Sequence, residues 1–236
     1  MLRLENISYA YPGRGSALAN LGAVLSDGIT ILAGPNAGGK TTLLRLMAGL
    51  LEPDAGAVSD TGSGNRLRTA DLRRLGRMVM QDADPQILGS RVGEDIRLGR
   101  EASNLGGRFD AEAERLVAKF GLDRYWHSPV DSLSYGQKRK LCLVHALLAG
   151  PRLLLLDEPF AGLDYPAALE LREFLRENRD AGIIQVVSTH ELEPVFDLAD
   201  HLVVIAGGGI AAEGRPADLA PRLAEWSVRP PGGGWE

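Results

Sequence analysis

Gly34-Pro35-Asn36-Ala37-Gly38-Gly39-Lys40-Thr41 fits the spacing G-x-x-x-x-G-K-[ST], and its flanks fit as well. The short apolar run Ile29 to Ala33 predicts a strand before it, and Thr42 to Leu50 predicts a helix after it. A phosphate chain requires such a setting. Glycines let the backbone wrap inward, consecutive N–H groups point at the oxygens, and a helix N-terminus adds the positive end of its dipole. In that geometry Lys40 reaches the β- and γ-phosphates, and Thr41 offers its hydroxyl to Mg²⁺. A strand, glycine loop and helix in this order imply an α/β fold and a nucleoside triphosphate ligand.

The 236 residues suffice for one large α/β domain or for a core with an inserted subdomain. A formal charge of −5 and a pI near 5.5 argue against a non-specific nucleic-acid binder, which is usually basic. No nucleic-acid partner is expected. No apolar stretch approaches the roughly 18 residues a membrane span needs. Met1-Leu2-Arg3-Leu4-Glu5 lacks the charged-then-apolar layout of a secretory leader. The single cysteine, Cys142, excludes an internal disulfide and a multi-cysteine zinc site, and its apolar helical surroundings read as core. A place on the cytoplasmic side is expected.

Along the chain, Leu2 to Tyr9 and Ala17 to Leu25 predict strands around the turn cluster Tyr11 to Ser16. After the glycine loop, Pro53 to Gly56 and Asp60 to Asn65 read as turns, and Arg77 to Met80 as a short strand ending at Gln81. From there to Pro151 the pattern is helical: Asp110 to Phe120 carries Ala113, Leu116, Val117 and Phe120 at helical spacing. Strand–helix alternation returns with Leu153 to Asp157, Tyr165 to Asn178 and Ile183 to Ser188. Such continuous apolar strands are buried on both faces, as in a parallel sheet. Gly207-Gly208-Gly209 predicts a hairpin between His201–Ile205 and Ile210–Ala212, and Arg229 to Glu236 reads as a loose tail.

Two further stretches carry chemistry. Leu153-Leu154-Leu155-Leu156-Asp157-Glu158 is an apolar strand that ends in adjacent carboxylates. The strand places Asp157 at its C-terminal edge, where open α/β sheets bind ligands and where it can hold hydrated Mg²⁺. Glu158, on a turning backbone, can orient or deprotonate water before the γ-phosphate; the plainer reading is a solvated acidic turn. Leu133-Ser134-Tyr135-Gly136-Gln137 opens a helix through Leu141, Val144 and Leu148. Ser134 and Gln137 have capping-box spacing, and Gly136 leaves the helix end bare. Either this is a second anion-seeking helix terminus or simply a well-capped core helix. Lys138, Arg139 and Lys140 read as a solvated face.

With these motifs in place, the chain resembles the ATP-binding cassette family over essentially its whole length. Gly34 to Thr41 matches the first nucleotide motif, Leu133 to Gln137 the signature sequence, and Leu153 to Glu158 the second nucleotide motif with its glutamate. Ala161-Gly162-Leu163-Asp164 matches the loop that follows, Gln81 the glutamine loop, His190 in Ser-Thr-His-Glu the switch histidine, and Tyr11 the adenine-stacking aromatic. The resemblance implies an ATPase using ATP and Mg²⁺. Glu158, His190 and Gln81 would serve catalysis. Tyr11, Asn36, Gly38, Gly39, Lys40, Thr41, Thr42, Ser134, Gly136 and Gln137 would contact nucleotide, and Thr41, Gln81 and Asp157 the metal. Ala37 and Gly38 stand where the family usually has Gly and Ser, and Tyr135 replaces the first of the signature's paired glycines.

The resemblance also implies architecture and partners. The expected fold is an α/β P-loop NTPase core with a mostly parallel sheet, an N-terminal antiparallel β subdomain and an inserted α-helical subdomain. Residues 1–82 would form the first part of the core with the antiparallel subdomain, 83–150 the helical insertion, 151–225 the rest of the core, and 226–236 a loose C-terminal tail. Met80 to Leu88, with Gln86, and Val92 to Ile96, with the Glu94-Asp95 pair, are similar to the ATPase components of energy-coupling factor transporters, which import vitamins or cobalt and nickel ions. So is Ser134 to Lys140. Asp82-Ala83 replaces the Asn-Pro usual there. The implied partners are a second cassette subunit, identical or related, and transmembrane transporter subunits at the cytoplasmic face of the membrane. Alternatives are the cassette of an ordinary importer or exporter, or a soluble cassette ATPase serving an assembly such as iron–sulfur cluster building.

Overall fold

The computed structural model describes residues 1–13, 15–101, 103 and 105–232. Arg14 of the expected turn cluster and residues 233–236 of the expected tail lie outside the described residues. In chain order the elements are β1 (Leu2–Ala10), β2 (Ser16–Leu25), β3 (Gly28–Ala33), α1 (Lys40–Met47), β4 (Ala55–Asp60), β5 (Arg66–Leu67), α2 (Thr69–Leu75), β6 (Gly76–Val79), α3 (Val92–Leu98) and α4 (Phe109–Lys119). There follow α5 (Tyr135–Leu148), β7 (Leu153–Asp157), α6 (Tyr165–Asp180), β8 (Ile184–Ser188), β9 (His201–Ala206), β10 (Gly209–Gly214) and α7 (Pro216–Leu219). The chain divides into two compact units, one of residues 1–78 with 152–236 and one of residues 79–151. None of the helices described is long and apolar enough to cross a membrane.

The first unit is an α/β P-loop fold. Its larger sheet has the order β10-β9-β3-β8-β7-β6, in which β9, β3, β8 and β7 run parallel. Every residue of β3, β7 and β8 is buried, as strands covered on both faces are, and this includes the polar Thr30 of β3 and Gln185 of β8. The pairing places Leu32, Ser188 and Asp157 in one row across the C-terminal ends of these strands. That row positions the site. The smaller, antiparallel sheet has the order β2-β1-β4-β5. The hairpin of β9 and β10 turns on Gly207 and Gly208, both at positive φ (59° and 79°), as a two-residue turn demands.

Two expectations about this unit need qualification. Pro53 to Gly56 is not all turn, because β4 begins at Ala55. At Gly56 (φ 88°) a Cβ would lie 2.4 Å from the carbonyl oxygens of Glu5 and Asn6, so glycine serves a close strand approach beside an irregularity in β1. The chain also keeps two attachments to the fold beyond residue 226. Val228 is buried, its N–H donates to the Leu223 carbonyl, and the Gly232 N–H donates to Glu193.

The second unit is helical around its own core. Val92, Ile96, Phe109, Leu116, Leu141 and Val144 are among the buried residues that meet there. Ser134 caps α5 as its spacing predicts: its hydroxyl accepts from the Gln137 N–H, and the Gln137 side chain accepts from the Ser134 N–H at 2.8 Å. Cys142 is core, and burial pushes its thiol up to about 12. The solvated-face reading of 138–140 fails at Arg139, which is buried and donates to the Gln81 carbonyl at 3.0 Å and to the Tyr135 hydroxyl. Lys138 pairs with Asp84 at 2.6 Å.

The acidic pair divides its work. Glu94 is exposed and accepts from the N–H and hydroxyl of Ser90. Asp95 is 1% exposed; its carboxylate accepts from the N–H groups of Leu88 and Gly89, each at 2.8 Å, and meets His145 Nε2 at 2.6 Å. Burial opposes ionisation of Asp95, but the hydrogen bonds from His145 and the two backbone groups outweigh it and hold the carboxyl below its ordinary value. Asp95→Ala leaves the buried Gly89 N–H and the part-buried Leu88 N–H and His145 Nε2 without their partner. The expected loss of stability is on the order of 3 kcal/mol, read from the urea midpoint. Because the folded value is depressed, this contribution is complete above the ordinary carboxylate range and is lost as pH falls through the folded value. The gap between wild type and variant should therefore narrow in acid; a gap constant with pH would contradict the assignment.

Candidate active site

The residues of the glycine loop hold a shape that side chains would mostly forbid. At Gly34 (φ 144°) a Cβ would lie 2.0 Å from the Ile205 carbonyl oxygen, and at Gly39 (φ 108°) 2.6 Å from the Leu18 side chain. Ala37 takes φ 61° without being glycine. The Gly38 N–H donates to the Pro35 carbonyl at 3.1 Å, and α1 starts directly after Gly39. Asn36 and Ala37 are exposed at the loop tip, whereas Gly38 and Thr42 are buried.

Lys40 lies inside this loop. Its ammonium donates to the carbonyls of Gly34 (2.8 Å) and Pro35 (3.2 Å). Burial pushes Lys40 below its ordinary value, while the charges of Glu158 and Asp157 oppose that drift. Thr41, next on α1, donates its hydroxyl to the Asp157 carboxylate at 2.9 and 3.1 Å. Asp157 ends β7 and is buried; it also accepts from the Ser188 hydroxyl at 2.5 Å.

Glu158 turns out of the sheet at φ 48°, a left-handed conformation that costs a non-glycine residue roughly 1–2 kcal/mol. Its N–H donates to the carbonyl (3.0 Å) and hydroxyl (3.2 Å) of Ser188. Its carboxylate Oε2 lies 2.9 Å from His190 Nδ1. Strain at this position is thus held by backbone bonds and directs the side chain onto the imidazole. Tyr11, just beyond β1, sets its hydroxyl 3.4 Å from the Thr42 hydroxyl and from Arg45 Nη1, with its ring edge-on to Tyr9. Asp164 caps α6 by accepting from the Ala167 N–H at 3.0 Å.

The structure therefore brings Lys40, Thr41, Asp157, Glu158 and His190 to one sheet edge. Gln81, Ser134, Gly136 and Gln137 belong to the second unit, where the Gln81 carbonyl accepts from Tyr135 (2.9 Å) and Arg139 and Gln86 accepts from the Met80 N–H. Sequence reading missed Ser188. Its signal was present in Ser188-Thr189-His190, but only the strand pairing Asp157↔Ser188 reveals the contact. Among the described residues no group of three His, Cys, Asp or Glu side chains is placed to hold an ion alone. One hydroxyl and one carboxylate side by side suit a hard ion that takes its remaining ligands from phosphate and water.

The loop's strain gives substitutions of opposite sign. Gly34→Ala forces a methyl group into a backbone carbonyl, with an expected loss of about 3 kcal/mol. Ala37→Gly relieves the left-handed cost and, after the added freedom of the unfolded chain, should gain up to about 1 kcal/mol. Thermal denaturation of both variants checks the pair; a destabilised Ala37→Gly would contradict the loop geometry.

Comparison with known proteins agrees with this geometry. A family model described as ABC transporter matches residues 22–161. The chain is 37% identical to the cobalt import ATP-binding protein CbiO of Rhodobacter capsulatus, over 98% of this chain and 85% of the relative. It is 36% identical to a putative ABC transporter ATP-binding protein of Halobacterium salinarum, covering 98% and 100%. A solved ATP-binding subunit of an ABC transporter superposes with a TM-score of 0.81 at 29% identity, over 99% of this chain and 95% of that one. A glycine loop closed on its own lysine, a strand-end aspartate bonded to the next threonine, and these matches lead to one conclusion: the chain belongs to the ATP-binding cassette transporter family, as an ATPase coupled to transport.

Proposed function

We propose that this ATPase powers import of a micronutrient, a transition-metal ion or a vitamin, through a membrane transporter of the energy-coupling factor type. The observation that carries the reading is the 37% identity, across nearly all of the chain, to a relative named for cobalt import. The similarity of Met80 to Ile96 to such ATPases supports it. The cargo is not bound by this chain in our reading; separate membrane subunits take it up, and the chain docks on them at the cytoplasmic face.

In the proposed cycle, the N–H groups of residues 36 to 42 and Lys40 cradle the phosphates of ATP, and Tyr11 stacks on adenine. Thr41 and Asp157, with Gln81, would hold Mg²⁺, which would neutralise phosphate charge when bound. Glu158 accepts a proton from the attacking water, and His190, 2.9 Å from its carboxylate, holds Glu158 and contacts the γ-phosphate. Closure of the site around the nucleotide would exclude water and strengthen these electrostatic contacts. Glu158→Gln keeps the shape but removes the base: ATP should still bind while steady-state hydrolysis falls by roughly 10²–10⁴. Lys40→Ala should instead weaken nucleotide binding itself. Near-normal turnover in Glu158→Gln would remove Glu158 from this role.

The capped, bare start of α5 would serve a second chain. We infer a head-to-tail dimer in which Ser134, Gly136 and Gln137 of one subunit face the γ-phosphate on the other, with Asp164 at the seam. Hydrolysis removes that bridge, so the dimer reopens and moves the attached membrane subunits. Ser134→Arg should leave ATP binding by the monomer intact yet abolish ATP-dependent dimerisation. Light scattering in a Glu158→Gln background tests it. A background protein that stays monomeric in saturating Mg-ATP, alone and with its membrane partners, would overturn the dimer. Copurification of the chain with membrane proteins, and identification of the small molecule or ion they carry, tests the transport assignment.

A further inference from the structure

Arg172, on the α6 helix, is 2% exposed and makes a bidentate ion pair with Asp197, Nη1 to Oδ1 at 2.7 Å and Nη2 to Oδ2 at 2.6 Å. Nη1 also donates to the Pro194 carbonyl at 2.7 Å. Both partners lie on the irregular segment that leaves β8 and carries His190. At its start this segment is tied by the Thr189 N–H to Leu32 and by reciprocal bonds between Thr189 and Glu191. Leu192 and Val195 of the segment are buried. Its far end is closed by the guanidinium.

We propose that Arg172 is a positioning residue for hydrolysis, acting through His190. The inference rests on the reading of Glu158 and His190 given above. The connections form a closed circuit. Glu158 leads through the 159–163 loop into α6, whose Arg172 grips residues 194–197, and His190 of that same segment returns to the Glu158 carboxylate. Packing alone is a poor reason for a guanidinium at this place. A buried ion pair gives little net stability over an apolar side chain of similar volume, but a planar fork fixes direction as methionine or leucine cannot. Arg172 also holds the Asp197 carboxyl below its ordinary value, as a persistent pair should. Small displacements of a catalytic group are costly, up to about 100-fold per ångström.

The test is a double-mutant cycle in the full chain, scored by ATP turnover and, separately, by nucleotide affinity. Arg172→Met, which matches volume and leaves the half-exposed Asp197 in water, should lower kcat by roughly 10- to 100-fold with ATP affinity unchanged. Asp197→Asn, on the exposed partner, should lower it in the same direction and keeps the test open should Arg172→Met fold poorly. In a His190→Ala background, either substitution should cost nothing further. Unchanged kcat in both variants, or losses that multiply in the His190→Ala background, would overturn the proposal. If instead Glu158→Gln and His190→Ala themselves leave turnover intact, the reading of the site fails first.

Discussion

The Asp157 carboxylate is the joint on which the first unit depends. It accepts hydroxyl hydrogens from Thr41 at the start of α1 and from Ser188 at the end of β8. One buried charge thus ties a helix N-terminus to two strands of the parallel sheet. A buried carboxylate is tolerable only when its oxygens are satisfied, and here neutral hydroxyls do that beside the Lys40 ammonium. The arrangement fixes the depth of the glycine loop against the sheet edge. It also sets the turn after Asp157, since Ser188 supports the Glu158 N–H as well.

The second unit solves a similar problem with different groups. Most of its backbone between β6 and α3 lies outside both sheets, and side chains supply partners for it. Asp95 gathers the Leu88 and Gly89 N–H groups, and Arg139 and Tyr135 converge on the Gln81 carbonyl. This gives Tyr135 a reason to stand where relatives of the cassette family usually have glycine: its hydroxyl reaches 54 residues back to hold the backbone at Gln81. An aromatic there is a structural device of this chain.

Much of this was legible because it is local. The glycine loop, the cap at Ser134, the buried runs of β3, β7 and β8, and the turn at Gly207-Gly208 all follow from spacing and side-chain type over a few residues. What could not be read depends on remote partners. Gly56 looks like a turn residue until β1 is set against it, because the conformational freedom that favours turns also permits a close strand approach. Arg139 sits among Lys138 and Lys140, and nothing local tells the buried cation from its half-exposed neighbours. Ser188 and the Arg172–Asp197 pair become meaningful only through strand register and helix placement.

The bonds from Lys40 to its own loop carry one more consequence. Two carbonyls, at Gly34 and Pro35, accept two of the ammonium's three hydrogens. A phosphate oxygen can therefore take the remaining hydrogen without displacing either carbonyl. The loop thus aims its own lysine, and the rotamer freedom of that long side chain is given up on folding rather than on binding.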